Sequence, residues 1–260
     1  MEISAAPASN HDQNENLFFL IYSILPLAIV LIGFAPSLFL RVAFEAPPIP
    51  FYLHLHGAIL TGWFVILVAQ AWFIYSQNHR LHRKLGPIAA GYGVLVVMGG
   101  LMATSNVVAR GLAQGITLET DMSAIDPALG SGISFLTFIS GVIWANIVSV
   151  VTFAVLLSSA IIFRRRSDIH KRLILIATVA ILGPALARIS RLEFFGGEQG
   201  PFIPLALLAL LAIIVVYDLI ALKRVHRASL AGISVAIALS VLGTMIAGSE
   251  FGLGFVRSLA

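Results

Sequence analysis

Long apolar runs, separated by short polar stretches, make up most of the chain. Seven of them are long enough to cross a bilayer, which takes about 20 helical residues at 1.5 Å per residue. They are Leu17–Leu40, Phe51–Tyr75, Pro87–Val108, Ile133–Phe163, Ile169–Ile189, Pro201–Leu222 and Leu230–Ala247. The pattern predicts an all-α integral membrane bundle of about seven transmembrane helices.

The polar stretches predict the tail and the loops. Residues 1–16 are polar and predict a disordered N-terminal tail, followed by a single transmembrane domain over residues 17–260. A loop with Pro47, Pro48 and Pro50 disfavours a helix between the first two runs. The longest loop, Arg110–Gly132, has three acids and no cation after Arg110, which predicts a segment outside the cell.

The composition supports an integral membrane protein and excludes several other kinds of protein and site. Only 11% of the 260 residues are charged, against about a quarter in soluble domains, so a water-soluble shell cannot be built. The net charge is +4, but the cations are scattered between apolar runs, which indicates contact with a lipid bilayer rather than with nucleic acid. The chain has no cysteine, which excludes disulfides, thiolate metal ligands and thiol catalysis.

The positions of the cations predict an orientation. The loops after the second, fourth and sixth runs hold eleven of the sixteen lysines and arginines, and cation-rich loops stay in the cytoplasm. The eleven are Arg80, Arg83, Lys84, Arg164, Arg165, Arg166, Lys171, Arg172, Lys223, Arg224 and Arg227. With seven spans, this places the N-terminus inside and the C-terminus outside.

A short basic motif occurs twice. Residues 81–85 read Leu-His-Arg-Lys-Leu and residues 169–173 read Ile-His-Lys-Arg-Leu, and an Ile-Ala pair follows each at the same spacing. The motif predicts two related hairpins, residues 51–110 and 133–191, which form a central four-helix core from the second to the fifth span. A chance match between two short basic stretches is the alternative.

The repeated motif predicts that His82 and His170 face one another at equal depth on the cytoplasmic side. Two opposed neutral imidazoles can hold a metal as the axial ligands of a haem iron, if a hydrogen-bond acceptor orients each ring. Asp218, at the inner end of the sixth run, is a candidate acceptor. In the alternative interpretation, both histidines lie in interfacial turns that bind lipid phosphates, and Asp218 pairs with Lys223 or a loop arginine.

A second polar pattern follows one face of the second run. His56, Trp63 and Gln70 are seven residues apart, and a helix drifts by only about 20° per heptad. With Arg188 at the outer end of the fifth run, they predict a pocket open to the outside for a small solute or an anion. Alternatively, the three residues pack between helices and Arg188 pairs with a neighbouring acid.

The order of these residues resembles that of a group of uncharacterised bacterial polytopic membrane proteins of unknown function. The resemblance covers about residues 51–191, and its motifs are His56-Gly57, Gln70, His82-Arg83-Lys84-Leu85-Gly86 and Asp168-Ile169-His170-Lys171-Arg172. Such proteins are loosely similar to haem-binding cytochromes of the b561 and ferric-reductase type. This implies a location in the bacterial inner membrane and haem b ligand roles for His82 and His170. A second haem would need facing histidines near the outer surface, where only the second run supplies any, so the resemblance supports one haem.

These observations give three functional hypotheses. The leading one is an electron-transfer subunit that binds one haem b, with a quinone or a partner membrane protein as electron partner. The second is a small-solute binding or transport protein, and the third is a non-catalytic accessory subunit that binds a partner's helices through the glycine-rich third run. Nucleotide-phosphate loops and His-Glu-x-x-His zinc motifs do not occur in the sequence, and the seventh run has no lysine to bind retinal.

Overall fold

The computed structural model describes residues 10–129, 131–192 and 201–260, and over these ranges the secondary structure is helical. A single isolated bridge pairs Asp121 with Ser134. The α-helices are α1 (Asn10–Phe34), α2 (Phe51–Tyr75), α3 (His79–Ser105), α4 (Val107–Ala113), α5 (Phe135–Ile162), α6 (Ser167–Ala180), α7 (Gly183–Ile189), α8 (Phe202–Leu222), α9 (Arg227–Ala247) and α10 (Glu250–Arg257).

The helices confirm the predicted all-α membrane bundle. Within the described ranges, six helical segments are long and apolar enough to cross a membrane. A seventh span results if α6 and α7 are counted together, with a bend of 51° at the break between them. Proline at the start of α7 contributes to this break, because Pro184 has no backbone N–H to continue the hydrogen bonding of α6.

Two helix boundaries differ from those predicted. Helix α1 begins at Asn10, so residues 10–16 are helical rather than part of a disordered tail, and residues 1–9 lie outside the described ranges. The Glu15 carboxylate lies 2.6 Å from the Lys171 ammonium, and this salt bridge joins the N-terminal part of α1 to α6. Helix α3 begins at His79 because the Asn78 side chain accepts a hydrogen bond from the Leu81 N–H and caps it.

The centre of the bundle is formed by α2, α3, α5 and α6. The Trp63 indole of α2 packs edge-on against Phe153 of α5, with 4.9 Å between ring centroids. It also donates a hydrogen bond of 3.2 Å to the Thr178 hydroxyl of α6. Gly93 of α3 lies against Leu157 of α5, where a Cβ atom would clash. These contacts bring together the four spans that the repeated motif predicts to form a core.

Helix direction gives the bundle two distinct ends. At one end lie the first turns of α1, α3 and α6 and the last turn of α8, and we call it the His82 end. At the other lie the start of α2, helix α7 and the loop between α4 and α5, and we call it the His56 end. Helix α10 closes this second end by burying Val256 beside Val108 and Ile143.

Candidate functional site

His82 and His170 come together at the His82 end of the bundle. Each side chain is half-buried and projects from the first two turns of its helix, His82 on α3 and His170 on α6. Their ring centroids are 6.4 Å apart and their ring planes are nearly perpendicular, at 85°. The structure therefore brings together the two histidines that the repeated motif singles out.

The His170 ring is held by a backbone carbonyl. Its Nδ1 lies 2.8 Å from the carbonyl oxygen of Ala160, in the last turn of α5. Because a carbonyl oxygen only accepts, Nδ1 carries the hydrogen in this contact and Nε2 keeps its lone pair. A histidine that binds a metal through Nε2 commonly has this arrangement, since the second hydrogen bond fixes the ring.

The His82 ring and the neighbouring Gln70 side chain have unpaired polar atoms. His82 Nδ1 and Gln70 Oε1 are two of three buried side-chain atoms in the described residues that have no hydrogen-bond partner. The backbone carbonyl of Gln70 also lies close to the His82 ring. An unpaired buried polar atom costs about 1–3 kcal/mol, so the His82 nitrogen is available to a ligand.

The donor set at this position fits a haem better than a bare metal ion. Among the described residues, no group of three or more His, Asp or Glu side chains is arranged to hold a metal ion. Two imidazoles alone leave a bare ion under-coordinated, whereas a haem brings four nitrogens of its own and needs only axial ligands. The structure places the two imidazole rings in an edge-to-face arrangement, with 6.4 Å between their centroids.

Asp218 pairs with an arginine, as its alternative interpretation predicts. Its side chain is fully buried and pairs with Arg172, whose guanidinium is 1% exposed. Arg172 Nη2 and Nε donate to Asp218 Oδ1 over 2.6 and 2.9 Å. Asp218 Oδ2 accepts from the Ser229 hydroxyl at 2.6 Å and from the His226 N–H at 3.1 Å. These four hydrogen bonds occupy both oxygens of the Asp218 carboxylate, and none of the four donors belongs to His82 or His170.

His226 connects this ion pair to the start of α6. Its Nδ1 accepts a hydrogen bond from the Ala228 N–H and caps α9, so its Nε2 carries the hydrogen and donates to Asp168 at 3.2 Å. Arg172 also donates to the Asp168 carbonyl at 2.9 Å. The sequence does not reveal that Arg172 is buried, because it stands in a run of loop cations and nothing in that run distinguishes it.

The four residues of the predicted pocket lie at different depths in the bundle. His56 Nδ1 bonds the Gly99 carbonyl at 3.0 Å, and Arg188 lies near it at the His56 end. Trp63 is buried against α5 and α6, and Gln70 lies about 21 Å along α2 from His56, by the rise of a helix. His56 and Arg188 therefore lie at one end of the bundle, whereas Gln70 lies toward the other.

Two clefts among the described residues lie elsewhere. The first, of about 320 Å³, is lined by Gln13, Asn14, Leu17, Tyr75 and Gln77. The second, of about 190 Å³, is mainly apolar and is lined by Leu101, Thr104, Ser105, Ile143, Ile147, Phe255 and Leu259. Neither contains a residue of the predicted pocket.

Comparison with known proteins leaves the function to be argued from these residues. The chain matches no family model, no curated protein and no solved structure. The histidine pair is then the strongest functional candidate, because it combines two rings in close contact, a His170 ring held by a carbonyl and an unpaired buried nitrogen on His82.

Proposed function

We propose that this chain is an electron-transfer subunit of a membrane redox system and that it binds one haem b between His82 and His170. The observation that carries the proposal is the meeting of the two rings, 6.4 Å apart, at the start of two helices. The haem would supply reversible one-electron exchange between ferric and ferrous iron. His170 would bind through Nε2, since Nδ1 is engaged with Ala160.

The uneven distribution of lysines and arginines between the two ends of the bundle supports a cytoplasmic position for this site. Eleven of the sixteen lysines and arginines belong to the segments at the His82 end, and cations are retained in the cytoplasm. We place this end, with the haem, on the cytoplasmic side of a bacterial inner membrane, and the C-terminus on the outside. A quinone or a partner membrane protein would then exchange electrons with the haem near the inner surface.

The test is the absorption spectrum of the purified protein from haem-sufficient cells. We expect a Soret band with about one haem per chain, and its loss in His82→Ala and in His170→Ala. The matched control is His79→Ala, because His79 is exposed, lies one helical turn before His82 and bonds only to Gln77 among the contacts seen here. It should keep the full band.

A second measurement separates loss of a ligand from loss of the fold. In His170→Gly, added imidazole should restore the Soret band, because it can occupy the space of the missing ring. A monodisperse, folded wild-type protein without a Soret band, even after incubation with haemin, would rule the proposal out. Equal loss of the band in the His79 variant would also contradict the assigned ligands.

A further inference from the structure

The His226 residue joins three helices at the His82 end, and its two ring nitrogens have opposite roles. Nδ1 accepts a hydrogen bond of 3.1 Å from the Ala228 N–H and so caps the start of α9. Nε2 donates over 3.2 Å to the carboxylate of Asp168, in the first turn of α6. The backbone N–H of His226 donates over 3.1 Å to Asp218 of α8. We call His226, Ala228, Asp168 and Asp218 the His226 joint.

Only the neutral ring can make both side-chain contacts. An imidazole nitrogen accepts a hydrogen bond only while it carries no hydrogen, and in the protonated ring both nitrogens carry one. Protonation therefore turns Nδ1 from an acceptor into a donor and breaks its bond with the Ala228 N–H. The contact with Asp168 responds in the opposite way, because it becomes an ion pair. One proton thus removes the cap of α9 and strengthens the link to α6.

The ring lies where a change of pH in the surrounding water reaches it. The His226 side chain is 19% exposed, and histidine is the side chain that ordinarily changes charge between about pH 5 and 8. The carboxylates of Asp168 and Asp218 favour the protonated ring, whereas neighbouring cations oppose it. These cations are Arg172, which pairs with Asp218, and Lys223, Arg224 and Arg227, which lie close to His226 along the chain.

We infer that the His226 joint is a pH-sensitive contact, which exchanges the cap of α9 for an ion pair with α6 when the His226 ring is protonated. Asp168 stands two residues before His170 on α6, so the exchange changes how firmly the start of that helix is held. Acidification at the His82 end of the bundle is thereby transmitted to the helix that carries His170. The inference is independent of the haem proposal, because the protein alone makes every contact of the joint.

The test follows the ring and the capped amide in the full chain, in nanodiscs, from about pH 8 down to about pH 5. With nitrogen-15-labelled histidine, NMR shows which nitrogens of His226 carry a hydrogen. Hydrogen exchange measures the protection of the Ala228 amide, after correction for the intrinsic pH dependence of exchange. We expect a hydrogen on Nε2 alone at the upper pH and on both nitrogens at the lower pH. The protection of Ala228 should fall by about fivefold over the same range, since that is the value of a helix cap.

Three variants show whether the response comes from the joint. His226→Asn should keep the protection of Ala228 and lose its pH dependence, because asparagine caps a helix but does not titrate. Asp168→Asn removes a carboxylate that favours the protonated ring, so the change should move to lower pH. The matched control is His79→Asn, an exposed histidine at the same end, which should leave the response of Ala228 unchanged.

Three results would overturn the inference. The first is a His226 ring that keeps a hydrogen on Nε2 alone over the whole pH range. The second is an acid-induced loss of Ala228 protection that is equally large in His226→Asn. The third is an Asp168→Asn variant whose change occurs at the same pH as in the wild type. Each result concerns ring nitrogens and a backbone amide, so failure here leaves the haem proposal standing.

Discussion

Two polar clusters lie side by side at the His82 end, and they differ in how completely their buried atoms are paired. In the ion-pair cluster of Arg172, Asp218, Ser229 and His226, both oxygens of the buried carboxylate receive hydrogen bonds. In the histidine cluster of His82, His170 and Gln70, a ring nitrogen and an amide oxygen have no partner. A single helix, α6, contributes to both, since His170 and Arg172 are two residues apart.

The difference separates a structural role from a binding role. A saturated buried ion pair joins α6, α8 and α9 and has no capacity left for a ligand. A cluster with open polar atoms is costly without a ligand and becomes favourable once a ligand binds. The ion pair thereby positions the start of α6, and with it the His170 ring that the proposed haem requires.

The largest expected effect comes from breaking the ion pair. Asp218→Ala leaves the Arg172 guanidinium buried without its partner, and we expect the free energy of unfolding to fall by about 3–5 kcal/mol. Unfolding in mixed micelles with increasing SDS measures the change. The control is Glu119→Gln, an exposed loop carboxylate that should change stability by less than about 0.5 kcal/mol. A change in Asp218→Ala no larger than in this control would mean that the pair does not hold α6 and α8 together.

Replacing both Arg172 and Asp218 by apolar residues should restore much of the stability that Asp218→Ala loses. Arg172→Met combined with Asp218→Leu leaves no buried charge, so the double variant should be more stable than Asp218→Ala by about 2 kcal/mol or more. The same SDS unfolding series provides the measurement. A double variant as unstable as the single one would show that the hydrogen bonds to Ser229 and His226, rather than the charge, carry the effect.

Substitutions in the histidine cluster should lower the stability of the haem-free protein much less than Asp218→Ala does. In haem-free protein, His82→Leu removes a buried nitrogen that has no partner, so stability should stay within about 1 kcal/mol of the wild type or rise. His170→Leu removes the bond to the Ala160 carbonyl and should cost about 1 kcal/mol. Thermal unfolding midpoints of the two haem-free variants distinguish them. If His82→Leu destabilised the protein more than His170→Leu, the interpretation of the unpaired nitrogen would be wrong.

The fold class and the histidine pair are predictable from the sequence, because both depend on local patterns of residues. Apolar runs of span length predict helices directly, and the repeated His-basic-basic-Leu motif singles out His82 and His170. The sequence offers a loop arginine as one partner of Asp218 but does not single out Arg172, because that contact joins α8 to α6 across 46 residues and has no periodic signal. It also does not indicate the Ala160 carbonyl, since any residue type can present a backbone acceptor.

Heptad spacing also limits what the sequence says about the predicted pocket. Heptad spacing places His56, Trp63 and Gln70 on one helix face, but it does not tell which neighbouring helices pack against that face. Trp63 is 4% exposed, and its indole donates a hydrogen bond to Thr178 of α6. Trp63, in the middle of this helix face, therefore packs into the core, while His56 and Gln70 lie toward opposite ends of the bundle.

The smallest expected effect concerns Asp121, and it tests whether hydrogen bonds to a carboxylate outside the core contribute to the stability of the protein. In the exposed loop before α5, Asp121 accepts hydrogen bonds from the Gly132 N–H at 2.8 Å and from the Ser123 N–H and hydroxyl at 2.9 and 2.7 Å. These donors, Gly132 foremost, lower the pKa of Asp121 below its ordinary value. Because the folded-state pKa lies below the unfolded value of about 3.9, the bonds stabilise the loop above about pH 4 and are lost as pH falls through the folded-state pKa.

Hydrogen exchange of the Ser123 and Gly132 amides should therefore accelerate on acidification, after correction for the intrinsic pH dependence of exchange. Asp121→Asn should remove this acceleration, since its amide does not titrate, while the global unfolding midpoint stays close to that of the wild type. An acid-induced fall in the global midpoint that Asp121→Asn abolishes would show that an exposed paired carboxylate stabilises this bundle as a buried one does. The contrast between the two clusters at the His82 end would then reflect pairing alone, with burial contributing little.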